Sequence, residues 1–280
     1  IQKQLVKDHP SVPSYRQVLA GSFNNLAFVL RSLRAPDEAI KLYSEAIAIQ
    51  ERLVKDHSDL PDYRYKLAQT YVNIGNFYFP LQKFNKAMQF FNKALILEER
   101  LVKTHRHMPK YAYSLLKTKL SCATLEEYRS QYSEAIRHYE SSLPILKSLK
   151  NKGLLQQQLA GTEQRIEQGL TRCRITIRAI ENLTFVLAQP PDQAARLLSI
   201  RGRAQWDQND HAGAAECGEK LAQLAIPDDQ TAARGRNLYN AACLLSLASD
   251  AAANDEALAE AERTALVDKY AARAVVLLRE

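Results

Sequence analysis

The chain has little of what breaks helices and little of what does chemistry. Its 280 residues include only 9 glycines and 10 prolines, whereas Ala, Leu, Gln, Glu, Lys and Arg abound. That balance favours helix over sheet, because straight-chain residues lose little rotamer freedom in a helix. No apolar run approaches the roughly 18 residues of a membrane span. The opening IQKQLVKDHP is polar and has no signal-peptide pattern. With no initiator Met, and with AARAVVLLRE still helical in pattern at its end, the chain reads as a piece of a longer protein. The four cysteines, Cys122, Cys173, Cys217 and Cys243, are isolated, with no CxxC pair and no zinc-finger spacing. They read as single buried thiols in a reducing compartment, the cytoplasm, rather than as metal ligands or a disulfide framework.

Catalytic signatures are missing too. There is no GxSxG, P-loop, HExxH or GxGxxG, so no enzyme activity and no cofactor are expected. His9, His57 and His105 recur at one interval and read as helix-end residues that cap carbonyls and face the dipole. His105 and His107 form a pair with no third ligand nearby. Glu98–Glu99 and Glu126–Glu127 read as solvated helix faces, and Cys243 in YNAAC as part of an apolar helix face.

What the sequence does have is a period. LVKDH at 5–9 returns at 53–57 and again as LVKTH at 101–105, each time after 48 residues. The same frame aligns Pro13, Pro61 and Pro109, and Tyr15, Tyr63 and Tyr111. It also aligns Ala27, Gly75 and Ala123; Ala39, Ala87 and Ala135; Tyr43, Phe91 and Tyr139; and Ala46, Ala94 and Ser142. A fixed interval of this order marks a repeat architecture. Each unit reads as two helices. The first has its apolar stripe at Val18, Leu19, Phe23, Leu26, Ala27 and Leu30; the second at Ala39, Ile40, Tyr43, Ala46, Ile47 and Ile49. Ser11 and Asp59 are expected N-caps, with Pro13 and Pro61 in the first turn. The small residues let paired helices approach and the aromatic fills space between units, so that units stack into a solenoid. LVKDH is then the turn from one unit to the next.

These columns resemble the tetratricopeptide repeat family. Its small residue, Ala, aromatic and second Ala map onto Ala27, Ala39, Tyr43 and Ala46, and onto Gly75, Ala87, Phe91 and Ala94. The resemblance implies an all-α, right-handed superhelical solenoid of helix pairs, here with helices longer than in the usual 34-residue unit, as in kinesin light chain. The third unit departs from it: Pro144 falls inside its second helix, where a kink or early stop is expected, and Lys119 and Glu126 replace apolar or aromatic residues. Units are expected over 1–149, a divergent helical connector over 150–188, and degenerate helix pairs over 189–280. In the last of these, Gly202 and Ala214 keep the spacing of Gly75 and Ala87, with Asn209-Asp210 at the inter-helix turn. The tandem units and the tail with YNAACLLSLA also resemble the repeat arrays that follow the kinase domain in planctomycete-type bacterial serine/threonine kinases. No kinase signature is present in this chain itself.

In such a solenoid the first helices line the concave face. By resemblance, Asn25 and Asn73, with Ser121 third, match the groove position where an amide holds a bound peptide's backbone; the alternative is that they bridge adjacent helices. Their groove neighbours would be Asn24, Phe28, Arg31, Asn76, Lys117 and Thr124. Only Lys117 matches the carboxylate clamp of chaperone-binding members, so the expected ligand is an extended or helical protein segment. A rival reading comes from charge. Residues 101–180 hold fourteen Lys and Arg against six Glu, a net of +8, which suits an acidic partner or nucleic acid, although no interleaved aromatics form a stacking platform.

Overall fold

A computed structural model describes residues 1–32, 35–224 and 231–280, and among these every regular element is a helix. In order they are α1 (Gln2–Asp8), α2 (Pro13–Ser32), α3 (Pro36–Asp56), α4 (Pro61–Tyr78), α5 (Phe84–Thr104), α6 (Pro109–Tyr128), α7 (Tyr132–Asn151), α8 (Gln156–Leu159), α9 (Thr162–Glu181), α10 (Leu183–Leu187), α11 (Pro191–Asp207), α12 (His211–Ala222), α13 (Thr231–Ala253) and α14 (Glu260–Leu277). The chain forms two compact units, 1–173 and 174–280, and the division falls inside α9, in the segment where the repeat register is lost.

The first unit is a solenoid of antiparallel pairs α2–α3, α4–α5 and α6–α7, each packed on the next, with the first helices α2, α4 and α6 also side by side. Two turns build it. The turn between pairs is LVKDH. The N–H of His9, His57 and His105 donates to the carbonyl of Leu5, Leu53 and Leu101 at 2.9, 2.9 and 2.8 Å. The same histidines' carbonyls accept from Val12, Leu60 and Met108 at 3.1, 3.1 and 3.0 Å. Each ring then rests on the tyrosine of the next first helix, Tyr15, Tyr63 or Tyr111, with centroids 5.8, 5.7 and 5.8 Å apart. The pentapeptide recurs because it closes one helix, opens the next and fixes the angle between them by a ring contact. Leu60 and Met108, not Asp59 or its equivalents, occupy the N-cap positions of α4 and α6, and no side chain caps them. Proline at N1 has no N–H to satisfy, and the helix starts one residue later than a Ser/Asp cap would set it.

The turn within the α4–α5 and α6–α7 pairs is a Schellman motif. Gln82 and Ser130 take φ of 55° and 60°, and the following N–H reaches back across the turn: Lys83 to Tyr78 O at 3.2 Å, Gln131 to Glu126 O at 2.8 Å. Above it the small-residue column is packed tight. A Cβ on Gly75 would lie 2.5 Å from the Phe91 ring, and Ala27, Ala39, Tyr43, Ala87, Phe91 and Ala123 are all buried. Ala46, Ala94, Ala135 and Tyr139 are buried likewise. Tyr139 is covered by α9, where Gly169 leaves room for its ring.

Several expectations are corrected. The α7 helix does not stop at Pro144 but runs through it to Asn151. Leu146 and Leu149 beyond the proline are buried against Ile166 and Leu170 of α9, so tertiary packing holds the last turns. Val18 and Leu26 are exposed rather than part of the buried stripe of α2. Glu98 and Glu126 are buried, not solvated. Glu126 is held by Arg129 at 3.1 Å, and its neighbour Glu127 accepts from Tyr139 and Arg172.

In the second unit α11–α12 and α13–α14 pair in the same way. The α11–α12 turn repeats the Schellman geometry, with Asn209 at φ 60° and Asp210 N–H on Gln205 O at 2.8 Å. Here Asp210 also caps α12 by accepting from Gly213 N–H at 2.8 Å. Cys243 is exposed, because Ala241, Ala242, Leu244 and Leu245 take the inward arc of α13 and leave Tyr239, Cys243 and Ser246 facing outward.

Candidate protein-binding groove

A groove of about 620 Å³ runs across α2, α4 and α6. Its walls come from residues spaced along each first helix so that they share one face: Gln17, Gly21, Asn24 and Asn25 on α2, Tyr65, Gln69 and Asn73 on α4, Tyr113 and Lys117 on α6. The 48-residue frame makes these columns: Gln17, Tyr65 and Tyr113 share one, and Gly21, Gln69 and Lys117 another. Asn73 donates from its amide to Asn24 Oδ1 at 3.0 Å, which ties α4 to α2, and Asn24 in turn approaches Asn25 Oδ1 at 3.4 Å. Asn73 therefore bridges adjacent first helices and lines the groove at once. Among the described residues its side-chain oxygen accepts no hydrogen bond. Gln69 donates to the Tyr65 hydroxyl at 2.9 Å, and the Lys117 ammonium lies 5.6 Å from the Tyr113 ring centre. A second depression of about 820 Å³ adjoins it through Asn73 and is lined by Phe28, Arg31, Asn76, Phe77 and Leu81. There the Arg31 guanidinium covers the exposed Phe28 ring at 4.9 Å.

Of the residues expected in the groove, Asn24, Asn25, Asn73 and Lys117 line the first depression, and Phe28, Arg31, Asn73 and Asn76 the second. Ser121 and Thr124 line neither. Thr124 donates back to Leu120 O at 2.9 Å and accepts from Arg165 of α9 at 3.3 Å. Tyr65, Gln69 and Gln50 are groove residues that the sequence reading passes over. Reading down the columns of Gln17 and Lys117 finds the first two.

Gln50 marks a polar layer beneath the groove. It is a buried residue of α3 that lines the groove floor, and its Oε1 has no hydrogen-bond partner. One period on, the same position is Glu98, fully buried on α5. Its Oε1 accepts from Ser114 Oγ at 2.5 Å, and among the described residues no donor meets hydrogen-bond geometry at its Oε2, with the Thr118 hydroxyl turned to Ser114 O. Burial pushes the Glu98 carboxyl up to about 7, against the opposing pull of the Ser114 and Thr118 hydroxyls. The adjacent column ties each second helix to the next first helix by a different chemistry each time. Lys3 sits over the Phe23 ring at 5.2 Å, Tyr71 donates to Glu51 at 2.5 Å, and Lys119 pairs with Glu99 at 3.3 Å. Lys119 in an otherwise aromatic column is thus matched by its partner, not left buried and alone.

Six of the fourteen cations of the basic stretch take part in ion pairs. Lys110, Lys119, Arg129, Arg137, Lys150 and Arg172 each meet a carboxylate: Asp62, Glu99, Glu126, Glu134, Glu163 and Glu127 respectively. Among the described residues no helix is long and apolar enough to cross a membrane.

Two stretches of the chain match tetratricopeptide repeat families: residues 19–59 and residues 68–99. Both span the junction of a first and a second helix, the part that carries the small-residue column, and residues 68–99 also take in the turn at Gln82. No curated protein matches the chain. Among solved structures, the crystal structure of BtubC (BKLC) from P. vanneervenii aligns over 99% of this chain and 87% of its own, at 15% identity and a TM-score of 0.41, a likeness too loose to carry an argument.

Proposed function

We propose that the chain is a protein-interaction scaffold that holds an extended or helical segment of a partner across α2, α4 and α6. Tetratricopeptide repeats are in general protein–protein interaction modules, and two stretches of the first unit match them. The observation that carries the assignment is Asn73. Its amide N–H is fixed by Asn24 while its side-chain oxygen meets no donor among the described residues, so the group is preorganised to accept from a peptide N–H at little further entropy cost. Exposed Phe28 beside it offers an apolar anchor, and Lys66 and Lys117 with no carboxylate on the first depression favour an acidic or neutral segment over a basic one.

By its resemblance to kinase-linked arrays, the chain serves as the partner-recruiting arm of a larger cytoplasmic signalling protein. The units over 1–149 form the recruiting part, with 150–188 as connector and 189–280 as further helix pairs. The test is capture of partner from lysate by the wild-type chain and by Asn25→Ala/Asn73→Ala, at low and moderate salt. Protein retained at moderate salt by the wild type and released by the double substitution is the expected outcome. Nucleic acid retained only at low salt, and indifferent to the asparagines, moves the function to residues 101–180.

A further inference from the structure

In the second and third units one stripe of the first helix disappears beneath the second helix of the preceding unit. Thr70, Ile74 and Phe77 of α4 are 2%, 1% and 2% exposed, and Thr118, Cys122 and Leu125 of α6 are all 0% exposed. The cover is a particular helix face. Tyr43 of α3 meets Phe77 edge-on at 5.9 Å, and Phe91 of α5 shares one apolar cluster with Cys122 and Leu125. On α2 the same positions are Ser22, Leu26 and Val29, and Leu26 and Val29 are 49% and 51% exposed.

The neighbouring part of α2 is already covered in the repeat manner. α1 corresponds position by position to the last two turns of α3 and α5, from Gln50 to Asp56 and from Glu98 to Thr104. Its Val6 packs against Leu19, Ala20 and Phe23, and Lys3 takes the place over Phe23 that Glu51 takes at Tyr71. In α3 and α5 the turns before that point carry Ala39 and Tyr43, or Ala87 and Phe91, which share one apolar cluster with Ile74, Phe77, Cys122 and Leu125 of the stripe.

We infer that the Leu26/Val29 face of α2 is a docking surface for an amphipathic helix of the second-helix type, in line with α1 and presenting Ala-x-x-x-Tyr or Ala-x-x-x-Phe to α2. Two internal copies of the interface define the occupant: a small residue that lets the helices close, and four residues later an aromatic that fills the space beside the column of Val29. The face is separate from the groove. Leu26 and Val29 line neither depression, and the inference stands whether or not the groove binds a peptide.

The test extends the full chain before Ile1 with a copy of residues 84–96, in the register that places the copied Phe91 one period ahead of Tyr43. Amide hydrogen exchange over residues 22–30 is expected to slow by about tenfold or more relative to the unextended chain. An extension whose aromatic is replaced by Asp, and an extended chain carrying Val29→Asp, should both lose that protection. Unchanged exchange in the first extension overturns the inference. Sedimentation of the unextended chain should show a monomer; a dimer that Val29→Asp dissolves would give the face to a second copy and overturn it equally.

Discussion

The first and second compact units use the same turn within a helix pair and different means of joining pairs. Gln82, Ser130 and Asn209 all adopt the left-handed conformation, each followed by the same reach-back hydrogen bond. Above two of these turns sits a glycine whose Cβ would meet a neighbouring side chain: Gly75 the Phe91 ring at 2.5 Å, Gly202 the Leu244 methyls of α13 at 2.7 and 2.9 Å. The histidine turn with its ring on a tyrosine occurs three times in the first unit. In the second, His211 opens α12, and its ring lies 6.0 Å from that of Tyr270 on α14. Pair geometry thus needs little sequence, a small residue and a turn, whereas exact repetition of period needs the hand-over between pairs to be repeated as well.

The sharpest way to break this comparison is to remove the aromatic that the first unit stacks on. Phe91→Ala should destabilise the first unit by about 3–5 kcal/mol in urea unfolding, with the second unit's transition unmoved. Next in size is the contrast between equivalent positions Gln50 and Glu98. The Glu98 carboxyl titrates near 7 in the folded chain, above its unfolded value, so the folded state holds a proton that the unfolded state has released. Its contribution is present below about pH 4.3 and is lost as pH rises towards about 7. Glu98→Gln, which restores the residue of the preceding unit, should flatten that slope and stabilise the chain at pH 8 by on the order of 2 kcal/mol, read from Tm against pH.

Glycines give a smaller effect of either sign. Gly75→Ala drives a Cβ into the Phe91 ring and should cost about 1–3 kcal/mol. Gly21→Ala meets nothing within 4 Å on a helix and should stabilise by about 0.5–1 kcal/mol. Smallest is the cap peculiar to the second unit: Asp210→Ala should lower its stability by about 1 kcal/mol, while Lys83→Ala, at the equivalent uncapped position of α5, should leave the first unit within about 0.5 kcal/mol.

The helix pairs and the small-residue columns were legible in the sequence because packing against a fixed neighbour repeats at a fixed interval. The misreadings share a cause. Glu98 and Glu126 are charged, and charge signals solvent in a single sequence, but here the frame had placed buried Gln50 and Tyr78 in the same columns. Leu26 is apolar and was assigned to a buried stripe, yet the cover for its column comes from a preceding unit, which periodicity within one helix cannot register. Cys243 follows two buried alanines and still points outward, because a step of one residue on a helix turns the side chain by about 100°. For the groove, Asn24, Asn25, Asn73 and Lys117 came from the repeat frame together with the family resemblance, whereas Gln50 did not, since it reaches the groove floor from the second helix.

The account rests on the groove across α2, α4 and α6 being the surface that partners use. A photo-crosslinking residue placed at Gln69 in the groove, and in a separate chain at Arg100, exposed on α5, tests it most directly. Adducts with discrete proteins from position 69, absent from position 100 and weakened by Lys117→Ala, are the expected result. Equal adducts from both positions, or from position 100 alone, would contradict it.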